Sequence, residues 1–176
     1  SFTVGHASGR HRTERTPVEA WELDAREQIR GLVAAYNALG DRGRLDGVMA
    51  LFAHDAVMDI GDGRSYEGVD QIRTIFTGTR DSILEGGDGD GPRFLQHHTT
   101  GLHVTLAERA TCGADDEATG HAYFTVMTDR GLDHWGRYQD AYRPVGDAWL
   151  FASRRVRIDG YTPGGWADAR LNGPAK

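Results

Sequence analysis

The sequence predicts an α+β domain, and two observations carry that prediction. In the first half, apolar residues recur at helical spacing, with Ile29, Leu32/Val33, Tyr36 and Leu39 on one stripe and Val69, Ile72 and Ile75/Phe76 on another. From Arg93 onward the period changes to two, with Leu102, Val104 and Leu106 alternating, and Gly- or Pro-containing turns separate the stretches that follow. Helices first and long antiparallel strands afterwards define the class.

Taken in order, Ser1 to Arg15 has no period and reads as a flexible arm. Thr16-Pro17-Val18-Glu19 has the form of a capping box with proline at the first helical position, opening a helix that runs to about Gly40. A second helix is expected over Leu45 to Ala53, a strand over Ala56 to Ile60 and, after Gly61 to Ser65, a short return at Tyr66 to Gly68 before the third helix. Leu84 to Pro92, rich in Gly and Asp, is a loop. Strands are then expected over Ala118 to Thr128, Trp135 to Arg143 and Ala148 to Ile158, with Asp129 to His134 read as a polar turn. The single domain spans residues 16 to 160, and the tail from 161 is irregular, with Tyr161 and Trp166 able to dock.

A chain of 176 residues buries roughly 70% of the surface its unfolded form exposes, so it needs no metal or disulfide to hold a core. One cysteine, Cys112, excludes an internal disulfide framework, and no apolar run approaches a membrane span or a signal-peptide core. A reducing, cytoplasmic setting is the expectation. The net charge of -6 argues against a nucleic-acid partner, and the lone lysine, Lys176, removes Schiff-base chemistry except at the last residue.

The residues that carry chemistry are few. Tyr36 lies on the apolar stripe five positions before Asp41, which fits a solvated turn residue or N-cap as well as an inward-facing acid. Gln96-His97-His98 opens the first long strand, and strict alternation from Leu102 turns His98 inward and His97 outward. His103, His121 and His134 invite a metal hypothesis, but neighbouring strand residues face opposite ways, so His97 and His98 rarely share one ion, and no metal is expected. Asp140 is positioned to pair across a hairpin with Arg154, Arg155 or Arg157, which is foremost a structural contact. Val57, Phe76, Ala122, Phe124 and Val126 would make an apolar cavity.

The succession Y36-x4-D41, LFAHDAVMDIG, YEGVDQIRTIF, QHHTTGLHV, ATGHAYFTV, GRYQDAYRPVGDAW and SRRVRI resembles SnoaL-like proteins of the nuclear transport factor 2-like superfamily over about residues 18 to 160. The resemblance implies a cone, cystatin-like, in which three N-terminal helices pack on a strongly curved antiparallel sheet around one deep pocket. Its closest motifs are those of scytalone dehydratase, bile-acid dehydratase and a dehydrochlorinase. By that resemblance Asp41 is the aspartate that partners a strand histidine, and His97 matches that histidine better than His98. A β-bulge near Thr99 to Gly101 would reconcile the match with the alternation. Tyr36 matches a pocket tyrosine and Arg157 a functional arginine of bile-acid dehydratase. The second acid/base of those enzymes falls here near Val126 and Thr128, neither of which moves protons.

A carboxylate bonded to one imidazole nitrogen fixes the tautomer and leaves the other nitrogen to accept a proton, and a phenol such as Tyr138 stabilises an enolate oxygen. The expected activity is that of a cofactor-free lyase or isomerase, with catalytic Asp41, His97 and Tyr36 and with His98, Tyr138, Phe124, Val126 and Arg157 contacting a small hydrophobic, cyclic substrate. A polyketide-cyclase-like enzyme using Asp41 alone and a non-catalytic binding or assembly module are the alternatives. A homodimer or homotrimer is expected, because the sheet of such folds leaves an apolar outer face to be covered.

Overall fold

A computed structural model describes residues 17–85, 91–107 and 118–172. The N-terminal arm, the Cys112 turn and most of the Gly- and Asp-rich loop lie outside the described residues. Helix α1 (Ala20–Gly40) and the short α2 (Leu45–Met49) are followed by β1 (Phe52–Asp59), β2 (Tyr66–Glu67) and α3 (Gly68–Glu85). Then come β3 (Gln96–Leu106), β4 (Ala118–Thr128), β5 (Gly131–Val145), β6 (Ala148–Tyr161) and α4 (Trp166–Asn172).

The strands form one sheet in the order β2-β1-β6-β5-β4-β3. Every pair is antiparallel except β1 with β6, which run parallel, so the sheet is mixed rather than purely antiparallel. Such a pairing is open to β1 because almost the whole domain separates it from β6, far more chain than a hairpin provides. Register shifts interrupt the ladders between Thr100 and His103, Val126 and Met127, Trp135 and Gly136, and Ala141 and Tyr142. Each bulge bends its strand and sharpens the twist, which curls the sheet around the helices.

Helix α1 lays Ala25, Ile29, Leu32, Val33 and Tyr36 into that concavity. Its N-terminus is capped one box later than expected: the Glu22 side chain accepts the backbone N–H of Glu19 at 3.1 Å. The main core joins this stripe to Val48, Met49, Phe52, Met58, Ile72 and Phe151. Full burial of side chains such as Ile29 and Ile72 contributes about 1.5–3 kcal/mol each. A smaller cluster of Leu95, Ala122, Phe124, Val126 and Tyr138 continues it toward the open end.

Three boundaries differ from expectation. Helix α2 stops at Met49, and Phe52 already begins β1, because Phe52 and Ala53 are needed in the core. Strand β5 starts at Gly131, so the supposed turn Asp129 to His134 is mostly strand. The tail is ordered through α4, whose backbone is held by the buried Asp133: its carboxylate accepts the N–H groups of Trp166 at 2.7 Å and Ala167 at 3.1 Å.

Candidate active site

A cavity of about 950 Å³ opens between α1, α3, α4 and the concave face of the sheet. Its wall is mainly apolar, with Phe76, Phe94, Leu95, Phe124, Ile158 and Trp166 among its residues. Tyr36, Asp41, His97 and Tyr138 also line it.

Asp41 is the C-cap of α1, with its own N–H bonded to the Asn37 carbonyl at 2.9 Å. Both carboxylate oxygens turn to one residue of β3. Oδ2 accepts the backbone N–H of His97 at 3.0 Å, and Oδ1 lies 2.6 Å from His97 Nδ1. A carboxylate in this place selects the tautomer with hydrogen on Nδ1 and leaves Nε2 as the free base. Neither side chain is sealed off, at 28% exposure for His97 and 18% for Asp41, which suits a pair that meets a ligand.

The choice between the two histidines is made by backbone. Gly101 has φ +63 and sits where the β3–β4 register slips. One residue is gained there, so His97 and Thr99 face inward with Leu102, Val104 and Leu106, while His98 is exposed on the outer face. His98 is therefore not in the cavity wall, and its expected contact with a substrate is withdrawn. Arg157 is withdrawn as well. It grips Asp59 through two bonds of 2.9 and 2.6 Å and is not among the residues that line the cavity, and this guanidinium holds the Asp59 carboxyl down at about 2. Val126 is wholly buried in the smaller core cluster rather than in the wall. On β1, Met58 lines the cavity and Val57 does not.

Tyr36 and Tyr138 stand at the floor with ring centroids 6.2 Å apart. Arg154 lies beneath both, its guanidinium 4.0 Å from one ring centroid and 4.1 Å from the other. Burial pushes both phenols up, against the pull of that cation, so both are hydrogen-bond donors at neutral pH. Arg154 is itself fully buried and bonded twice to Asp140, at 2.9 and 2.7 Å. Its Nη1 has no hydrogen-bond partner among the described residues, and the surrounding ring faces meet the cation instead.

Several wall residues, Phe94, Leu95 and Ile158 among them, were not placed in a pocket by the sequence, and one that could carry chemistry is His134. His134 on β5 is 6% exposed, lines the cavity and has Nδ1 2.7 Å from Asp133 Oδ1. The signal was hidden because Asp-His looked like part of a turn, whereas a bulge opposite Val126 lets both neighbours face inward. Among the described residues no three His, Cys, Asp or Glu side chains gather as a metal site.

No curated protein matches the chain by sequence. Similar solved structures include LinA, at 16% identity and a TM-score of 0.64, covering 80% of this chain and 90% of that one. A putative scytalone dehydratase from Novosphingobium aromaticivorans aligns at 18% identity and TM-score 0.62, over 80% of this chain and 87% of its own. A protein of unknown function with a cystatin-like fold from Nostoc punctiforme aligns at 18% and 0.64, over 84% and 98%. These likenesses establish the cystatin-like fold. Residues 21–155 match the SnoaL-like domain, and the chain belongs to that family.

Proposed function

We propose that the protein is a cofactor-free lyase or isomerase that removes a proton beside a carbonyl of a small, hydrophobic ring compound. The observation that carries this reading is the 2.6 Å contact between Asp41 Oδ1 and His97 Nδ1 at the wall of an apolar cavity. His97 Nε2 takes the proton from carbon, the electron pair moves onto the carbonyl oxygen, and Asp41 stabilises the imidazolium that forms. Tyr36 or Tyr138 donates to the enolate oxygen, a bond worth about 3 kcal/mol in a dry site. Where a β,γ double bond is conjugated with the enolate, return of the proton to the γ carbon completes an isomerisation, and loss of a β-hydroxyl with that proton as water completes an elimination. The folds this chain shares with LinA, a hexachlorocyclohexane dehydrochlorinase, and with the putative scytalone dehydratase support the general lyase class. The polyketide-cyclase alternative is disfavoured, because both oxygens of Asp41 are already engaged by His97.

The test is deuterium uptake from heavy water into the α carbons of cyclic ketones, followed by proton NMR. Wild-type protein should catalyse uptake, and His97→Gln should slow it by about 10²-fold or more. Equal uptake by the two proteins, with the ketone still bound, would reject the reading.

A further inference from the structure

His97, Val126 and His134 occupy one row across β3, β4 and β5, since Val126 pairs with His97 on one side and His134 on the other. Two strand spacings separate the histidine backbones, about 10 Å on a flat sheet, and the concave curvature tilts their side chains toward each other. Phe124 lies between them, its ring centroid 6.5 Å from His97 and 5.9 Å from His134. Phe124 itself stacks on Tyr138 at 4.6 Å, and a ring compound lying along this wall of the cavity would meet an imidazole at each end.

The His134 ring is held more rigidly than that of His97. Trp166 stacks on it at 6.0 Å and 28°, and Phe124 meets it edge-on. Asp133 takes three donors at once, His134 Nδ1 and the N–H groups of Trp166 and Ala167. The approach of α4 is close enough that a Cβ at Gly165 would lie 2.7 Å from Asp133 Oδ2, so only glycine fits there. With Nδ1–H committed to the carboxylate, Nε2 is an acceptor and nothing else while the ring is neutral. Burial lowers the His134 pKa, with Asp133 opposing and His97 assisting, which keeps the ring in that neutral form.

We propose that His134 is a substrate-binding residue that accepts, at Nε2, a hydrogen bond from a hydroxyl group of the substrate. The substrate class is accordingly a ring ketone that bears a hydroxyl at the end remote from its reacting carbon. The ketone half rests on the proposed role of His97; the hydroxyl half rests on His134 alone.

The experiment compares binding of 2-tetralone and 6-hydroxy-2-tetralone by calorimetry. The wild type should favour the hydroxylated ketone by about tenfold or more, as a buried acceptor left unpaired discriminates strongly. His134→Phe, which keeps an aromatic ring against Trp166, should lose the preference. His134→Gln, which still offers an acceptor, should retain part of it, and it serves if the phenylalanine variant does not fold. Nitrogen NMR of the unliganded protein should show His134 with its hydrogen on Nδ1. Equal binding of the two ketones by wild type, an undiminished preference in both variants, or the Nε2–H tautomer would overturn the assignment. Deuterium uptake that persists in His97→Gln would instead count against the base alone, since the binding comparison needs no turnover.

Discussion

Asp41 stands where a helix disfavours a carboxylate, at the negative end of the α1 dipole. Its position is compensated by His97, which gives it two bonds. The apolar stripe alone turned Tyr36 inward; the partnership of Asp41 with a strand histidine came from the resemblance to SnoaL-like proteins, and Tyr36, Asp41 and His97 do line one cavity. His98 was counted among the substrate contacts although the bulge expected near Thr99 to Gly101 turns it outward, and Arg157 was misread because no local pattern carries its capture by Asp59. The expected cross-strand pairing of Asp140 falls on Arg154, and it is buried more deeply than spacing could tell. Asp140→Asn should lower stability by about 3–5 kcal/mol, read as a fall in the urea midpoint, because it leaves a buried guanidinium unpaired. Adding Arg154→Met should recover much of that loss. Asp59 supplies a pH test. Its folded-state pKa of about 2 lies below the ordinary carboxylate value of 3.8, so its contribution is complete above the ordinary value and vanishes as pH falls through about 2. In Asp59→Asn the stability profile from pH 4 to 2 should be correspondingly flatter.

The elements were readable wherever apolar period and turn chemistry agreed, as in α1, α3, β4 and β6. They were misjudged where a tertiary contact overrides local polarity. The start of β5 reads as a turn because Asp133 and His134 are polar, yet both are buried, paired with each other and tied to α4. The tail looks irregular from its glycines, yet Gly165 is what lets α4 approach Asp133. The bulge in β3 decides which histidine the cavity receives. Gly101→Val should cost about 1–2 kcal/mol from the left-handed backbone alone. It should also disturb the His97 ring signals in NMR more than those of His134, since only the former depends on that bulge; an unchanged His97 spectrum would remove the bulge from the account.

At the scale of the whole molecule, the cone leaves a cavity at one end and a broad outer sheet face. That face is less apolar than expected, with His121, Arg137 and Gln139 beside the exposed Tyr123 and Trp135. Tyr123 and Trp135 lie on adjacent strands, and we propose that self-association covers them. Sedimentation should give two or three times the 19.3 kDa chain mass, and a monomer at micromolar concentration would contradict this. Among the described residues no helix is long and apolar enough to cross a membrane. The fold was legible because the order of helices and strands is written in the period of the apolar residues. The makeup of the cavity was less so, since it depends on curvature contributed by several bulges at once.

The central claim is that Asp41 acts through His97 on a carbon-bound proton. Its most direct measurement is the rate of α-deuterium uptake into a bound cyclic ketone by Asp41→Asn, with the dissociation constant measured alongside. The account predicts a rate lower by about 10²-fold or more at nearly unchanged affinity. An unchanged rate with binding intact would contradict it.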